Sequence, residues 1–482
     1  MHADAVVVGG GLAGLVAAAT LAESGAGVVL LEGAGQLGGT SARSAGLFAF
    51  AATVEQRAAG VDDSSERLRD DLVAVAGTES ELIDLYVEHQ ASSKSWLAGL
   101  GARWTLSPSA AGAGQTAPRV HHSPPGRLLR ALADRVAASH DARVATGTRV
   151  EFLERYEDGW IVGVEGPGGV AHEYRAVRIV VCAGGFGANA QLVLKENPEL
   201  TGAFLASAPG CDGAMLGLLV DLGAATCDLS VVEATFGMVV DEGAPLHPCL
   251  AVYLGAVAVS LRGRRFVDES RPYKEIGRAC LAQPGGVAVQ VLDRGILESG
   301  VAGVGPFDLA AWAGSGYLRR HESLAELAAF RGLDLNVLRE ELDAYNADVV
   351  AHGRDRRHGR SGLPGSGALV PVASPPFYSC LSSSAVYGTY GGVHADRSLR
   401  VVRSDGSLLA GCYAAGEIVG GFHGAGYMTG SSLGKAVVFG RLAARHALGL
   451  SAAVDEAWSS PGRRRVETAR NEARKGSMSS AE

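Results

Sequence analysis

The sequence predicts an α/β fold: a Rossmann-like dinucleotide-binding domain with a β-meander, interrupted by an inserted α+β cap domain. Three observations carry this. A glycine-rich turn near the N-terminus lies between a strand-like and a helix-like run. Alternating strand-like runs then lead to a second apolar strand near residue 180. A second glycine-rich segment, 413–434, opens another helix about 400 residues after the first.

Residues 5–8 (AVVV) are a short apolar β-type run, and Gly9-Gly10-Gly11-Leu12-Ala13-Gly14 follows at once, then an apolar helical stretch. This is G-x-G-x-x-G between strand and helix. In that arrangement the glycines let a pyrophosphate approach the positive end of the helix. A second strand, 28–32, ends in Glu32, 23 positions after Gly9, where an acceptor for a ribose hydroxyl belongs. A membrane helix over 5–22 is excluded by the glycines at 9–14, because glycine is a poor helix former. No basic n-region precedes the run, so a signal peptide is not expected.

A Gly/Ser-rich loop, 33–48, comes next. Charged periodic helices are expected over 63–101, a loop over 105–126 ending in His121-His122, and a helix over 126–139. The β-meander runs through ARVATGTRVEFLER, GWIVGVEG and AHEYRAVRIVVCAGG, returning to the sheet at Ile179–Cys182. Asp212-Gly213 marks a helix start. We expect residues 1–235 and 373–447 to build the nucleotide-binding domain and 236–372 the cap, because the C-terminal cradle must rejoin the first domain. Within the cap, LAVYLGAVAVSL, RRFVDE and GVAVQVLD read as strands, SLAELAAFRGLDLNVLREELDAYNADVV as helices, and 353–367 as a loop. Residues 448–482 form an Arg-rich tail. The sequence shows no internal repeat.

Composition is that of a globular chain: 482 residues, 47% apolar, 20% charged. Glycine, at 67 residues, is about twice its usual frequency. A net charge of −8 argues against nucleic-acid binding, and no membrane span is expected. Seven cysteines are scattered singly with no C-x-x-C pair. Zinc, iron–sulfur and c-type haem ligation are therefore unsupported, no metal is expected, and a reducing, cytoplasmic setting is.

Four segments together resemble the fumarate reductase/3-ketosteroid dehydrogenase flavoprotein family: VVVGGGLAGLVAAATLAESG with GGTSARSAG, VVCAGGFGAN, GRRFVDES, and the glycine-rich segment with its AAGE. The resemblance covers nearly the whole chain. It implies a glutathione-reductase-type fold holding FAD across both ends of the chain, under a cap. The expected cofactor contacts are Gly9, Gly11, Leu12, Ala13, Gly14 and Glu32, then Gly39, Thr40, Ser41, Ser44 and Gly46. Val150, Ala183, Gly184 and Asp212 follow, and Gly416, Glu417, Ser431, Ser432 and Leu433 complete the set. Glu417 is where the family contacts the ribitol. A helix beginning near Leu433 would aim its positive end at the flavin pyrimidine.

At the catalytic positions the chain departs from family members that reduce fumarate. Where they carry Arg four residues after the Glu of R-F-V-N-E, this chain has Tyr273 after Glu269. Their H-H-T-M-G-G is here Tyr387-Gly388-Thr389-Tyr390-Gly391-Gly392, and their H-G-A-N-R is His423-Gly424-Ala425-Gly426-Tyr427. A dianionic substrate loses its charge partners, each charge-assisted hydrogen bond being worth roughly 1.5–3 kcal/mol. Tyrosines at 273 and 427 resemble the ketosteroid dehydrogenase branch, where tyrosines bind a ketone and move a proton while flavin takes a hydride. The expected catalytic set is Tyr427, Tyr273 and Thr429 with Tyr387 and Tyr390, and Gly430 could add an N–H. A tyrosine titrates near ~10, so acting as base needs positive potential beside it, or a relay. His423 is open to a structural or a catalytic role, and His121-His122 could reach the substrate from a loop.

The expected activity is desaturation of a carbonyl compound, or the reverse enone reduction. The partners would be a small-molecule carbonyl substrate and an external electron carrier or oxygen. One alternative is a polycarboxylate oxidoreductase, in which Arg271, Arg278 or Arg319 would supply the clamp. The other is a flavin-binding regulatory protein without turnover.

Overall fold

The strand His2–Val8 has Val28–Leu31 on one side and the end of Val170–Val181 on the other, both parallel to it. A parallel strand covered on both faces must be apolar throughout, and Ala5, Val6, Val7 and Val8 are all buried. Burying each Val contributes roughly 1.5–3 kcal/mol. These residues form the centre of an eight-stranded sheet in a computed structural model that describes residues 2–107, 114–244, 247–364 and 367–450. The strand order across it is Arg400–Val402, Leu408–Ala414, Val170–Val181, His2–Val8, Val28–Leu31, Ala142–Ala145. The hairpin Arg149–Tyr156 and Gly159–Gly166 pairs onto the first half of Val170–Val181 and forms the meander.

Two helices cover the sheet. Leu12–Glu23 is buried from Leu12 to Leu21, and Ser431–Ala447 packs against it. Pro125–Ala137, with proline at its start, packs Leu128, Leu129, Leu132 and Val136 on the same face at helical spacing. Segments about 400 residues apart meet here: a Cβ at Gly440 would lie 2.5 Å from the Ala13 carbonyl, and one at Gly416 2.8 Å from the Ala13 Cβ.

A second sheet of six strands carries the other hydrophobic core. Its long strand, Phe377–Val386, pairs with Ala288–Asp293 and Phe204–Leu205 along one edge and with Thr235–Val239 and Arg319–His321 along the other. Val257–Ser260 lies beyond Ala288–Asp293. The sheet thus draws strands from both sides of the 236–372 segment. Helices Leu324–Arg331 and Leu335–His352 form where helical spacing predicts them.

Three local expectations need correction. LAVYLGAVAVSL is not one strand: Ala251–Leu254 is a 3-10 turn, and a strand follows only from Val257. Gly255 between them has φ of +121°, and a Cβ there would meet Val370 at 2.7 Å. RRFVDE forms no strand, because Ser260 N–H bonds back to the Arg264 carbonyl and turns the chain at Gly263. Instead, Arg265 and Glu269 form a buried ion pair at 2.6 Å. The 105–126 loop contributes strands Thr105–Leu106 and Val120–His122, which pair beside Leu47–Ala49; its residues 108–113 lie outside the described residues. The Arg-rich tail also lies outside them from residue 451 onward. No described helix is long and apolar enough to cross a membrane, no metal-binding cluster occurs among the described residues, and all seven cysteines are free.

Glu269 is fully buried. Burial alone would raise its carboxyl, but the Arg360 and Arg265 guanidiniums hold it below the ordinary carboxylate range. Arg265 also reaches Asp355 at 2.9 Å. Arg265→Met leaves buried carboxylates short of a partner and is expected to destabilise the chain by roughly 3–5 kcal/mol. A denaturant titration checks this; a midpoint equal to wild type would show that the network carries no stability.

Candidate functional site

The turn after the first strand depends on two close approaches. At Gly9 (φ +103°) a Cβ would fall 2.4 Å from the Cys182 carbonyl, and at Gly14 one would fall 1.8 Å from the Gly9 carbonyl. Gly9 therefore seats the turn on Cys182 while lining the cavity, and Gly14 seats the helix on the turn and does not line it. Gly11 differs: a Cβ there meets nothing nearer than 3.9 Å, so its backbone faces open space. It caps the helix Leu12–Glu23 without a side-chain hydrogen bond, so the positive end of the helix is turned to the cavity. Glu32 accepts from the N–H groups of Gly10 (2.7 Å) and Ala34 (2.8 Å) while lining the same cavity. A carboxylate has about four acceptor positions, so two remain for a ribose.

Gly39, Thr40, Ser41 and Ser44 line the next stretch, followed by Val150, Ala183, Gly184 and Asp212. Ser41 Oγ accepts from Leu12 N–H at 3.3 Å, and Thr40 Oγ1 accepts from Ala208 N–H at 3.0 Å. Asp212 accepts from the N–H of Ala214, the first residue of the following helix, at 2.9 Å and pairs with Arg149 at 3.0 Å. Gly46 lies off the cavity against Ser123, where a Cβ would be 2.2 Å from the carbonyl.

The C-terminal cradle forms the opposite wall. Gly416 and Glu417 line it with Leu12 and Ala13. The Glu417 carboxylate accepts from Thr389 N–H at 2.9 Å, in a slot where a Cβ at Gly185 would come within 2.6 Å of it. Burial raises its carboxyl, while the Thr389 hydrogen bonds and Lys435 act against the rise. Helix Ser431–Ala447 starts after Gly430 with no side-chain cap. Ser432 and Leu433 face the cavity; Ser431 does not, its hydroxyl donating to the Met428 carbonyl at 2.7 Å. Lys435 is buried one turn along, bonds the Val419 carbonyl, and is pushed down to about 8 by burial, against a pull from Glu417.

The cavity, about 1100 Å³, runs on to a cluster of aromatic side chains. All five predicted catalytic residues line it. Tyr390 and Tyr427 stack at 5.2 Å, and Tyr273 lies 6.3 Å from Tyr427. Thr429 donates to the Tyr273 hydroxyl at 3.2 Å, and the Tyr427 oxygen accepts from Gly430 N–H at 3.3 Å. Burial raises all three tyrosines. Tyr387 is turned towards the Met238 sulfur at 3.7 Å and is also raised by burial. His423 touches Tyr390 and Tyr427, and burial with two nearby lysines drives it well below its ordinary value, so it is neutral. His122 lines the cavity, whereas His121 is buried between Thr53 Oγ1 and the Arg119 carbonyl. Leu250, Tyr253, Phe307 and Trp312 give the far wall an apolar character.

Two cavity residues escape sequence reasoning, Lys435 and Lys274. Lys274 is buried, donates to the Glu233 carbonyl at 3.1 Å, and sits 5.1, 5.7 and 5.8 Å from the rings of Tyr390, Tyr427 and Tyr273. The signal was a lysine in the first turn of a helix, where the dipole disfavours a cation. Arg271, Arg278 and Arg319 are exposed and line no part of the cavity.

The donor set fits FAD: an open glycine backbone at an uncapped helix end, a carboxylate with free acceptor positions, and a long cavity between both cradles. A model of the FAD binding domain family matches residues 4–433. The chain is 28% identical over 453 residues to a fumarate reductase (cytochrome) of Shewanella frigidimarina, covering 92% of this chain and 76% of the relative. It is 27% identical to a 4-oxocyclohexanecarboxylate 2-dehydrogenase of Sinomonas cyclohexanicum, covering 94% of each. Among solved structures, an open flavocytochrome c3 fumarate reductase matches with a TM-score of 0.77 and 25% identity, over 93% of this chain and 79% of that one. The 3-ketosteroid-Δ4-(5α)-dehydrogenase from Rhodococcus jostii RHA1 matches at 0.70 and 23%, over 92% and 96%.

Glu32→Ala is expected to weaken FAD binding by roughly 1.5–3 kcal/mol, the worth of a hydrogen bond to a charged group. Titration of the apoprotein with FAD, followed by flavin fluorescence, checks this. Unchanged affinity would remove Glu32 from the nucleotide site.

Proposed function

The chain belongs to the FAD binding domain family and is an FAD-dependent oxidoreductase of CH–CH bonds, and from that premise we propose that it desaturates a neutral ketone next to its carbonyl, or runs the reverse enone reduction. The observation that carries this is the convergence of Tyr273, Tyr427 and Thr429 at one end of the cavity, with the candidate arginine clamps outside it. Bound FAD supplies the two-electron hydride acceptor or donor.

The residues of the chain account for the rest. A ketone oxygen placed at the tyrosine end meets hydroxyl donors that strengthen as negative charge develops on it in an enolate-like transition state. One such donor is worth roughly 10²–10³ in rate. The Thr429 hydroxyl holds Tyr273 in place from the cradle side, and the ring stack with Tyr390 fixes Tyr427. The apolar far wall keeps water from the reacting carbons and suits a hydrophobic ring. His423 is neutral and offers no positive charge to a carboxylate. Arg271 and Arg278 offer a dicarboxylate no guanidinium, since both are exposed and paired with Glu275 and Glu233. Electrons leave the reduced enzyme to an external carrier or to oxygen.

Anaerobic stopped-flow reduction of the FAD-loaded enzyme by a panel of cyclic ketones and dicarboxylates tests this. Ketones are expected to bleach the flavin and dicarboxylates to leave it oxidised; the converse would overturn the ketone reading. Tyr427→Phe is expected to slow reduction by roughly 10²-fold or more at retained FAD content. A variant within a few-fold of wild type would remove Tyr427 from the chemistry.

A further inference from the structure

Residues 428–431 close a β-turn, with the Ser431 N–H donating to the Met428 carbonyl at 3.1 Å. Gly430, its third residue, has φ of +87° and ψ of −10°, the values of a type II turn. The peptide between Thr429 and Gly430 is the central peptide of that turn. Turning it over gives a type I turn with the same closing hydrogen bond, and its carbonyl and N–H exchange sides. Glycine takes either form at little cost. No other residue fits, because a Cβ here would lie 2.6 Å from the Ala49 nitrogen and from the Phe48 carbonyl carbon. The turn residues therefore leave the orientation of this peptide open, and its hydrogen-bond partners choose it.

Those partners lie on opposite sides. The Gly430 N–H donates to the Tyr427 oxygen at 3.3 Å, on the cavity side. The Thr429 carbonyl accepts from the Gln115 side-chain amide at 3.0 Å, and Gln115 lines no part of the cavity. The amide oxygen of Gln115 is buried with no hydrogen-bond partner among the described residues. Leucine or methionine would fill the same space without stranding a polar atom. The bond to Thr429 is what a glutamine adds.

Gln115 stands on a firm support. Its neighbour Thr116 gives its N–H and its hydroxyl to the Asp71 carboxylate, at 2.8 and 3.0 Å. Asp71 belongs to the helix Ser65–Ala76, and the wholly buried Arg119 ties it to Asp63 at 2.8 and 2.9 Å. The end of the same helix supports the cradle. The Ala425 N–H donates to the Ala76 carbonyl at 2.8 Å, and a Cβ at Gly426 would come 2.7 Å from the Val75 carbonyl. A Cβ at Gly114 would come 2.4 Å from the Val75 side chain. Segment 114–119 and the cradle are thus set against one helix, which fixes the reach from Gln115 to Thr429.

Resting on the ketone reading, we propose that Gln115 is a positioning residue for Tyr427: by holding the Thr429 carbonyl it keeps the Gly430 N–H on the Tyr427 oxygen, which leaves the Tyr427 hydrogen for the ketone. A hydroxyl whose oxygen accepts one hydrogen bond donates a stronger one. With the peptide turned over, the Thr429 carbonyl would face the Tyr427 hydroxyl and take that hydrogen. Tyr427 would then be tied to the protein rather than to the substrate. Gln115 makes and breaks no covalent bond and carries no proton.

Gln115→Leu and Gln115→Glu, each as the FAD-loaded full chain, test the proposal. Retained FAD shows that each variant folds. The Leu variant is expected to slow flavin reduction by ketone about tenfold, the worth of one hydrogen bond, mostly in kcat. In the Tyr427→Phe background the same change is expected to cost less than about twofold, because both substitutions act through one oxygen. A full tenfold loss in that background would make Gln115 merely structural and overturn the proposal. A second readout needs no substrate: a crystal structure of the Glu variant at about pH 8, where an ordinary glutamate is ionised. A carboxylate repels the Thr429 carbonyl, so a type I turn is expected, with the Gly430 N–H directed at the new side chain. An unchanged type II turn would overturn the proposal. If no ketone reduces the wild-type flavin, the ketone reading fails by itself, and the crystal structure still decides whether Gln115 sets the turn.

Discussion

The close packing at Ala13 is the constraint on which the rest of this structure depends. Gly416 and Gly440 both press on that one residue, at distances no larger side chain would allow. Gly14 seats the same helix on the Gly9 turn, and Gly9 seats the turn on Cys182. Three segments far apart in sequence are thereby held in one small volume. The wall that carries Glu32 and the wall that carries Glu417 and Tyr427 face each other because of it. A side chain in place of any of these glycines would separate the two cradles before it touched any ligand.

Electrostatics then divides the cavity. At the nucleotide end, backbone N–H groups and an uncapped helix terminus supply positive potential without a buried ion. At the opposite end, burial raises the tyrosines and depresses the lysines, so that both are pushed towards their neutral forms. Lys435 and Lys274 are each pushed down to about 8 by the same cause. Their settings differ: Lys435 lies near the buried Glu417 carboxylate, and Lys274 lies among phenols.

Much of this was legible in the sequence because the demands are local. Gly9, Gly11, Gly14 and Glu32 sit at fixed spacings from a strand and a helix, and the turn geometry follows from those spacings. The tyrosines at 273 and 427 were legible by position. What was not legible depends on distant pairing. LAVYLGAVAVSL is a continuous apolar run like a buried strand, yet Gly255 bends it, and only Val370, more than a hundred residues later, shows why. RRFVDE reads locally as a strand, whereas the chain turns there and Arg265 and Glu269 pair with each other in the interior. Ser431 and Ser432 are neighbours, and the helix start turns only the second to the cavity. Lys274 went unread because its one local signal, a lysine in the first turn of a helix, is weak, and the three rings around it include two from the C-terminal half.

The central claim is that a ketone oxygen is held by tyrosine hydroxyls rather than a carboxylate by cations. A crystal structure of the FAD-loaded protein with a bound cyclic enone tests it most directly. The account predicts the carbonyl oxygen within hydrogen-bond distance of the Tyr427 and Tyr273 hydroxyls, with the ring against the apolar wall. A carbonyl turned away from both tyrosines, or a carboxylate ligand bound in their place by Lys274, would contradict it.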